Sequence, residues 1–273
     1  MNRVLVTGGA GVLGRQVVSR LKGYYTVRVM SRRAPPPGFP AEIEWAQANL
    51  ATGADLREAV ADVDTIIHCA TSPIRHTWQT DVDGTRRLLE RAEIARVRHL
   101  IYVSIVGIDR VRSYGYYRHK LATESLITHG RVPWSVLRTT QFHDFIDYML
   151  RALLRFPVGF VPTGFQFQPV DSGEVADALV RAVTVGPKGR LLDMGGPEVL
   201  RLGAMARAWT RTRHQFKLIL PALVLGRTAS AFRRGELTCP ENRQGHITWG
   251  EWLRRQYAAS NQVPSGYAQR FGA

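Results

Sequence analysis

A glycine-rich turn near the amino terminus constrains the fold more than any other feature of the sequence. Residues 4–18 read VLVTGGAGVLGRQVV, in which a short apolar run is followed by four glycines and then by apolar residues at helical spacing. In a strand–turn–helix unit, such glycines permit positive φ, close approach of the backbone to a pyrophosphate and tight packing of helix on strand. The phosphates lie at the helix N-terminus, where free N–H groups favour an anion. The sequence therefore predicts a dinucleotide-binding turn; the alternative is a glycine-rich turn in another kind of α/β domain.

Strand and helix patterns alternate over the first half of the chain, as they do in a parallel sheet whose two faces are covered by helices. After the first strand and helix, strands are predicted at residues 26–31, 43–46, 65–70, 100–106 and 134–138. Further helices are predicted at residues 55–61, 79–94 and 116–128. The predicted fold class is α/β, a Rossmann-type doubly wound parallel sheet.

The second half of the chain has a looser pattern. Helices are predicted at residues 142–156, 173–185, 202–212, 229–234 and 248–257. We expect an irregular aromatic-rich segment at residues 160–170 and a last strand at residues 191–195. Residues 1–158 are assigned to a dinucleotide-binding domain and residues 159–259 to a smaller, mostly helical substrate-binding part. Residues 260–273 are expected to form a flexible tail.

The chain is strongly basic, with 37 Lys and Arg residues against 22 Asp and Glu and a formal net charge of +15. A charge of this size raises the question of a nucleic-acid partner. The cations, however, are mostly arginines spread through every predicted helix, without a long basic run or the spacing of a helix-turn-helix or zinc finger. Solvated helix faces explain this pattern better, and nucleic acid is not expected as a partner.

Cysteine usage and apolar patterning bear on the class of protein. Cys69 and Cys239 are far apart and lack CxxC or Cys/His spacing, so neither a disulfide framework nor a metal site is expected. The apolar run at residues 218–225 is too short to span a bilayer and contains Pro221. Met1 leads directly into the first strand, without room for a signal peptide. These features predict a cytoplasmic protein without a membrane partner and leave its oligomeric state open.

The end of the second strand indicates which dinucleotide is bound. An NAD site normally has Asp or Glu there for the ribose 2′-hydroxyl, whereas a 2′-phosphate requires cations. Here the strand ends in Ser31-Arg32-Arg33, and no carboxylate occurs between Gly14 and Glu42. A guanidinium group matches the geometry of a phosphate. We therefore expect NADP(H); the alternative is that both arginines are only surface residues.

A second group of residues points to proton transfer. Tyr116 and Lys120 are one turn apart on a predicted helix, where a lysine ammonium lowers the pKa of a nearby phenol and can also hold a ribose. Ser104, at the end of the preceding strand, is suited to donate to a developing oxyanion. Tyr116, Lys120 and Ser104 are therefore the candidate catalytic residues, although Tyr-x-x-x-Lys alone often occurs by chance on exposed helices.

Taken in order, these motifs resemble the short-chain dehydrogenase/reductase superfamily, and within it the atypical NmrA-like, isoflavone-reductase-like branch. The resemblance covers nearly the whole chain, and TGGAGVLG (7–14) is similar to the TGxxGxxG turn of that branch. Further similar segments are DVDGTRRLLERA (81–92), HLIYVSIVGID (99–109), YYRHKLATESLI (116–127), VLRTTQFHDF (136–145), PVDSGEVADALV (169–180) and GGPEVL (195–200).

The resemblance implies a coenzyme contact at particular positions. Around the pyrophosphate these are Thr7, Gly8, Gly11, Val12, Leu13 and Gly14, and around the 2′-phosphate they are Ser31, Arg32 and Arg33. Asn49 and Leu50 would lie beside adenine, although many relatives have an acidic residue in place of Asn49. Ala70 and Thr71 would lie beside the coenzyme at the end of the fourth strand, and Lys120 would bind the ribose. Thr140, Gln141 and Phe142 would border the nicotinamide.

The branch contains enzymes and also redox sensors that bind NADP(H), catalyse nothing and alter the activity of a partner protein. It keeps the lysine more dependably than the tyrosine, so the proton donor could instead be Tyr117, Tyr114 or His119, or be absent. Ser104, Tyr116 and Lys120 together favour catalysis, because a sensor needs no proton relay.

The expected function is therefore an NADPH-dependent oxidoreductase that transfers a hydride to a small or medium organic substrate, such as an apolar or aromatic carbonyl or enone. The alternative is a regulatory redox sensor of the NmrA type. Residues expected either to line the substrate pocket or to be core are Phe142, Phe145, Tyr148, Met149, Phe160, Phe165 and Phe167. His143 and Asp144 are expected to be polar contacts of that pocket or helix-capping residues.

Overall fold

The described part of the chain, residues 2–73 and 76–258 of a computed structural model, folds as alternating strands and helices. Its strands are β1 (Arg3–Thr7), β2 (Thr26–Ser31), β3 (Glu44–Gln47), β4 (Thr65–His68), β5 (His99–Ile105), β6 (Trp134–Thr139), β7 (Val158–Val161), β8 (Gln166–Phe167), β9 (Gly189–Arg190), β10 (Leu200–Arg201) and β11 (Leu218–Pro221). Its helices are α1 (Val12–Leu21), α2 (Leu56–Val60), α3 (Gly84–Ile94), α4 (Gly115–Thr128), α5 (His143–Leu153), α6 (Ser172–Val185), α7 (Leu202–Thr212), α8 (Arg227–Arg233) and α9 (Trp249–Ala258). A π-helical segment, Trp78–Asp83, leads directly into α3.

Seven of these strands form a parallel sheet flanked by helices, which confirms the predicted fold class. The strand order is β3-β2-β1-β4-β5-β6-β9, and the direction in which strands are added reverses between β1 and β4. These two strands pair in register, from Val4 with Thr65 to Thr7 with His68. Doubly wound sheets bind ligands outside the carboxyl ends of the strands at such a reversal. The glycine turn that follows β1 lies at this point.

The contacts divide the chain into two compact units. The first comprises the described residues up to Ser104, Gly115–Arg138 and Val175–Leu192. The second comprises Ile105–Tyr114, Thr139–Glu174 and the described residues from Asp193 onward. The predicted assignment of residues 159–259 to substrate binding stays a prediction. The tail predicted at residues 260–273 lies outside the described residues.

The core of the first unit lies on the central sheet. Val4, Leu5 and Val6 of β1 have no exposed surface, and every residue of β4 is buried. Strands covered on both faces are typically apolar along their whole length. Leu88 of α3 and Ile127 of α4 belong to the apolar cluster that covers these strands.

The second unit has its own core, built mainly by α5, α7 and α9. Its apolar cluster includes Ile146, Leu150, Met205, Trp209, Trp252 and Leu253. The buried Asp147 carboxylate accepts hydrogen bonds from Trp209 Nε1 (2.7 Å), Arg151 Nε (2.8 Å) and the Tyr257 hydroxyl. These bonds tie the three helices together and satisfy a charge that would otherwise be costly to bury. Two small sheets complete the unit, β8 with β10 antiparallel and β7 with β11 parallel.

The start of the helix predicted at residues 79–94 differs from a regular α-helix. The main-chain carbonyl of Asp81, in the π-helical segment, accepts hydrogen bonds from Thr85 Oγ1 (2.5 Å) and Thr123 Oγ1 (3.0 Å). Two hydroxyl groups thus bind a carbonyl oxygen that in a regular α-helix accepts a main-chain N–H. Such π-helical turns often occur at functional sites. Apolar periodicity could not predict this turn, because one of the two hydroxyls is 42 residues away in sequence.

Three strand predictions in the second half of the chain need correction. A last strand was expected at residues 191–195, but β9 ends at Arg190, and β10 and β11 follow later in the chain. Residues 191–195 contain isolated bridges, such as that of Met194 with Thr139. The segment at residues 160–170, expected to be irregular, contains the end of β7 and all of β8. The apolar run at residues 218–225 begins with β11, which was not predicted. In each case the pairing partner is distant in sequence, so local patterns carried no signal for it.

The tight contact between the glycine turn and α1 gives a stability test. A Cβ atom built on Gly14 would lie 2.2 Å from the Gly8 carbonyl oxygen and 2.6 Å from Gly9 Cα, both backbone atoms that cannot rotate away. Gly14→Ala should therefore lower the free energy of unfolding by about 1–3 kcal/mol, measured by urea denaturation. The control is Gly115→Ala at the start of α4, where the nearest atom to a Cβ is the end of a flexible arginine, 3.7 Å away. Equal stability of the two variants would contradict the described turn.

Candidate functional site

The glycine turn after β1 leaves a helix N-terminus open to a ligand. Gly8 has φ +65°, and its carbonyl accepts the Gly11 N–H at 2.8 Å. Gly11 precedes α1 without a side-chain cap, and the first helical turn of α1 contains no acidic residue. The N–H groups of Val12, Leu13 and Gly14 thus begin a helix without a carboxylate competing for them. This cradle fits the pyrophosphate of a dinucleotide.

A series of hydrogen bonds between buried side chains supports this turn. The Ala70 N–H donates to Thr7 Oγ1 (3.2 Å), which lies 2.7 Å from His68 Nδ1. His68 Nε2 lies 2.9 Å from Thr85 Oγ1, and that hydroxyl donates to the Asp81 carbonyl. Because the Thr85 proton is already used, His68 must donate from Nε2 and accept the Thr7 proton at Nδ1. A neutral imidazole is required for this pattern, and burial lowers the pKa of His68 to about 3.

The predicted 2′-phosphate residues lie at the exposed end of β2. The main chain there is held by Trp45 Nε1, which donates to the Arg33 carbonyl (2.9 Å), and by Gln47 Nε2, which donates to the Arg32 carbonyl (3.4 Å). Ser31 Oγ accepts the Arg33 N–H at 3.2 Å. Both arginine side chains are exposed, and neither guanidinium forms an ion pair within residues 2–73 and 76–258. The backbone is therefore ordered while the two cations remain available to an anion.

The two residues expected beside adenine already make contacts within the protein. Asn49 Oδ1 accepts the Ala51 N–H at 3.0 Å, and the Asn49 carbonyl accepts the Gly53 N–H at 2.8 Å. The Leu50 side chain is buried in the core of the first unit. A contact of Leu50 with adenine would therefore have to come from its main chain, and the adenine role of both residues stays a prediction.

Lys120 is the most unusual cation of the first unit, because it is only 3% exposed. Its Nζ atom donates to the Val103 carbonyl at 2.8 Å and lies 4.2 Å from the centre of the Tyr102 ring. Burial lowers the pKa of Lys120 to about 8, opposed by the negative charges of Asp81 and Glu124. An ammonium group has three protons to donate. Its hydrogen bonds to the described residues account for one of them.

Tyr116, one turn before Lys120, joins a polar cluster formed by Thr71 and Asp81. The Tyr116 hydroxyl lies 3.0 Å from Thr71 Oγ1, and the Thr71 hydroxyl donates to Asp81 Oδ2. Asp81 Oδ1 accepts the Ser72 N–H at 2.9 Å. Since the Thr71 proton is used by Asp81, Tyr116 is the donor towards Thr71. The structure thus brings two of the predicted residues, Thr71 and Tyr116, into direct contact.

Asp81 was not singled out from the sequence, although it is buried at the centre of this cluster. Burial raises the pKa of its carboxyl, and the charge of Lys120 and the hydrogen bonds from Thr71 and Ser72 oppose that rise. The signal that could have found it is a carboxylate at a buried position of the helix DVDGTRRLLERA. Helical periodicity predicts that such a residue is buried, but it does not predict the hydrogen-bond partners of its carboxylate.

Ser104 and Gln141 are polar residues with unsatisfied atoms. Ser104, near the end of β5 in the first unit, is buried, and its Oγ has no hydrogen-bond partner among the described residues. In the second unit, both amide atoms of Gln141 are buried and unpartnered within the same set of residues. Buried polar atoms normally have hydrogen-bond partners. Buried atoms without a partner are therefore expected where a ligand supplies one. The roles of Ser104 and Gln141 stay predictions.

The other predicted residues of the second unit are held by its own contacts. Thr140 Oγ1 donates to the Gln168 carbonyl at 2.5 Å, and Phe142 is the residue before α5, with a main-chain φ of −72°. His143 is fully buried, lies 3.0 Å through Nε2 from the Ile247 carbonyl and stacks on two tryptophans. Asp144 accepts a hydrogen bond from Ser172 Oγ at 3.0 Å, and burial raises the pKa of Asp144 to about 6. Neither residue caps α5 with a side-chain hydrogen bond.

The aromatic residues proposed as pocket walls have different surroundings. Phe167 is buried in the apolar cluster of the second unit, and Phe165 stacks on Phe232 with ring centres 5.2 Å apart. Phe145 and Met149 pack against the same cluster. Phe160, in contrast, is largely exposed. The core interpretation therefore describes most of this set.

The described chain offers neither a metal-binding cluster nor a membrane-spanning helix. Residues 2–73 and 76–258 hold no group of three or more His, Cys, Asp or Glu side chains that could bind a metal ion. Within the same residues, no helix has both the length and the apolar character needed to cross a membrane.

Comparison with known proteins identifies the family. A family described as NAD(P)H-binding matches residues 8–184, which is more than half of the chain. The chain belongs to this NAD(P)H-binding family. Its coenzyme is therefore a nicotinamide dinucleotide, and the resemblance to the atypical short-chain dehydrogenases/reductases is confirmed. The family description covers both NADH and NADPH.

Two curated relatives and one solved structure illustrate the range of the family. The (4-alkanoyl-5-oxo-2,5-dihydrofuran-3-yl)methyl phosphate reductase of Streptomyces griseus subsp. griseus is 28% identical over 209 residues, which are 72% of this chain and 69% of the relative. The photosystem II assembly factor Ycf39 of Trieres chinensis is 24% identical over 202 residues, which are 71% of this chain and 63% of the relative, less than two thirds of its length. The NADPH-dependent quinone oxidoreductase QOR2 of Escherichia coli, complexed with NADPH, has the same fold, with a TM-score of 0.74 at 17% identity over 93% of this chain and 99% of that one.

The neutral state of His68 gives a prediction for pH dependence. Its pKa is 6.5 in the unfolded chain and about 3 in the folded protein, so the unfolded chain binds the proton first as the pH falls. Its contribution to stability is therefore present at neutral pH and is lost as the pH falls below about 6.5. Between about pH 7 and about pH 5, His68 should account for about 2 kcal/mol of the decrease in the free energy of unfolding.

The variant His68→Gln removes this titration while retaining one acceptor and one donor. Urea denaturation at both pH values should show a smaller pH-dependent difference for this variant than for the parent protein. The matched control is His129→Gln at the exposed end of α4, which should leave the difference unchanged. If His68→Gln retains the full pH dependence, His68 is not a buried neutral histidine.

Proposed function

We propose that this protein is an NADPH-dependent reductase that acts on a small or medium organic substrate with an apolar or aromatic carbonyl or enone. The observation that carries the proposal is the state of Lys120. It is buried, its pKa is lowered to about 8, and one hydrogen bond to a described residue accounts for only one of its three protons. Burial of a cation is unfavourable without partners. A ribose diol at this position would accept the remaining protons.

The preference for NADPH is supported by the end of β2. Arg32 and Arg33 are exposed cations on a main chain that β3 side chains hold in place. A 2′-phosphate would be bound there by guanidinium groups, whereas a ribose 2′-hydroxyl would find no carboxylate between Gly14 and Glu42.

The residues of α4 would handle the proton of the reaction. When bound, NADPH supplies the hydride. Tyr116 would give its hydroxyl proton to the substrate oxygen, and the ammonium group of Lys120 would stabilise the resulting phenolate. Thr71 could then rotate its hydroxyl from Asp81 to Tyr116, because it already lies 3.0 Å from the phenol oxygen. Ser104, whose hydroxyl is unpartnered among the described residues, would donate to the substrate oxygen as negative charge develops.

The nature of the substrate is inferred from one relative. The Streptomyces enzyme is named as the reductase of a ring that bears an oxo group and an adjacent alkanoyl group. Reduction of a conjugated carbonyl of this kind would suit the proposed tyrosine proton donor. This similarity supports a reductase of activated carbonyl or enone compounds.

A non-catalytic role is the second candidate, favoured by the similarity to Ycf39, which is named as an assembly factor. Such a protein would bind NADP(H) and change its affinity for a partner protein with the redox state of the coenzyme. It would need the glycine turn and Lys120 but not a proton donor. The two functions therefore differ in whether NADPH is consumed when a panel of enones and quinones is offered.

The 2′-phosphate assignment is tested by coenzyme affinity. Arg32→Ala with Arg33→Ala should weaken NADPH binding by about tenfold to a hundredfold, because two charge-assisted contacts are lost, and should leave NADH binding unchanged. Isothermal titration calorimetry with both coenzymes measures the difference. Arg57→Ala, which removes an exposed arginine from α2, is the control and should change neither affinity. Equal affinity of the parent protein for NADPH and NADH would refute the assignment.

The proton donor is tested by turnover. Tyr116→Phe should lower kcat by about a hundredfold or more while the affinity for NADPH is retained, because only proton transfer is removed. Tyr117→Phe is the matched control on the adjacent residue and should keep full activity. Lys120→Met should lower both NADPH affinity and kcat. Full activity of Tyr116→Phe would exclude the proposed donor, and absence of turnover in the parent protein with the whole panel would favour the sensor.

A further inference from the structure

An exposed apolar surface lies on the second unit and includes no residue assigned above to coenzyme binding or proton transfer. It is formed by residues 156–160 and 216–225 and is called the apolar face here. Of the fourteen large apolar side chains that are exposed in the described part of the chain, eight belong to these two short segments. Phe216 is 97% exposed, Leu223 83% and Leu225 76%. Single exposed apolar residues are ordinary, but such a concentration in two segments that pair with each other indicates an interaction surface.

The pairing of β7 with β11 explains how the apolar face forms. Val158 pairs with Leu218 and Phe160 with Leu220, so these four side chains project from the same side of the small parallel sheet. Gly159 and Val161, the alternate residues of β7, are buried on the other side. Val161 belongs to the core of the second unit, and Ile219 packs against that core. The sheet thus has one side on the core and one apolar side in solvent.

The segments around the apolar face carry cations and no carboxylates. Residues 148–170 and 199–235 contain no Asp or Glu, and they contain nine arginines and one lysine. Two of these arginines, Arg151 and Arg234, form ion pairs with the flanking Asp147 and Glu236, which leaves seven arginines and the lysine outside these two pairs. Three of these cations contact the face itself. Arg155 lies over the Phe156 ring at 4.8 Å, Lys217 Nζ donates to the Phe156 carbonyl at 3.3 Å, and Arg233 Nη1 donates to the Val224 carbonyl at 2.8 Å. The face is therefore apolar at its centre and positive at its edge.

This combination discriminates between possible occupants. Nucleic acid offers phosphates for the cations but little surface for exposed leucine and valine side chains. A second copy of the chain would bring a second set of cations against the first, which is repulsive. An anionic bilayer satisfies both features, because lipid tails accept the apolar side chains and anionic headgroups attract the surrounding Lys and Arg residues.

We infer that the apolar face, residues 156–160 and 216–225, attaches this protein to the surface of an anionic lipid membrane. The attachment is peripheral, since no helix in the described ranges can span a bilayer. The sequence-based expectation of no membrane partner rested on the shortness of the run at residues 218–225, and that argument concerns spanning rather than surface binding. Pairing with β7 exposes this short run and makes it part of a larger surface.

Co-sedimentation of the full chain with lipid vesicles tests the inference. The protein should sediment with mixed phosphatidylglycerol–phosphatidylcholine vesicles and remain in the supernatant with pure phosphatidylcholine vesicles. Replacing Leu223 and Leu225 by serine should reduce the partition coefficient by about tenfold. The double variant Arg155→Glu with Lys217→Glu should reduce it by a similar factor of about ten, and high salt should do the same.

Matched controls keep the outcome interpretable. Tyr24→Ser with Ile94→Ser removes two side chains of the first unit that are 77% and 73% exposed, and Arg57→Glu reverses an exposed charge there. These variants should bind vesicles as the parent protein does, and circular dichroism should show that all variants are folded. Absence of binding, equal binding to pure phosphatidylcholine, or binding that survives the changes in the apolar face would each overturn the inference. Self-association that the Leu223 and Leu225 changes abolish would assign the face to a second copy instead.

Discussion

The architecture of the first unit depends on a backbone approach that only glycine permits. A Cβ on Gly8 would lie 2.9 Å from Ala70 Cα, and one on Gly14 would lie 2.2 Å from the Gly8 carbonyl oxygen. These contacts hold the ends of β1 and β4 and the start of α1 together at the reversal of the strand order. The first N–H groups of α1 begin directly after this turn and have no side-chain cap to satisfy them. One steric constraint therefore accounts for both the packing of the helix and the anion-binding character of its N-terminus.

The glycine turn and α4 are joined by a series of polar contacts. From the Ala70 N–H, hydrogen bonds pass through Thr7, His68 and Thr85 to the Asp81 carbonyl. The Thr123 hydroxyl reaches the same carbonyl from α4, one turn beyond Lys120 on that helix. The Thr123 hydroxyl lies equally close, at 3.0 Å, to the His119 carbonyl of its own helix and shares its proton between the two acceptors. Directional bonds thus support the position of α4 relative to the glycine turn in addition to apolar packing. The π-helical segment is the local deformation that lets Asp81 serve both its main-chain and its side-chain partners.

The parts of the fold that follow local rules were predictable from the sequence. The glycine turn, the alternation of strands and helices and the one-turn spacing of Tyr116 and Lys120 all follow from patterns within a few residues. The contact of Tyr116 with Thr71 and the burial of Asp81 were not predictable, because they join residues ten or more positions apart that carry no joint pattern. The pairing of β7 with β11 could not be predicted for the same reason. A run such as LILP is compatible with a core strand or with a surface strand, and only its partner decides between them.

The charge state of Lys120 follows from its surroundings in the fold and determines what it can do in the proposed chemistry. Two carboxylates lie near enough to raise its pKa, but Glu124 is bound by Arg138 through contacts of 2.8 and 2.6 Å, so its charge is largely balanced by that partner. Asp81 therefore remains as the main counter-charge, and burial works against both groups of the pair. The balance leaves the pKa of Lys120 at about 8, so most of the population is protonated at neutral pH. An ammonium group held near its titration point can both bind a coenzyme ribose and respond to a negative charge that forms on Tyr116, which a fully solvated lysine would do only weakly.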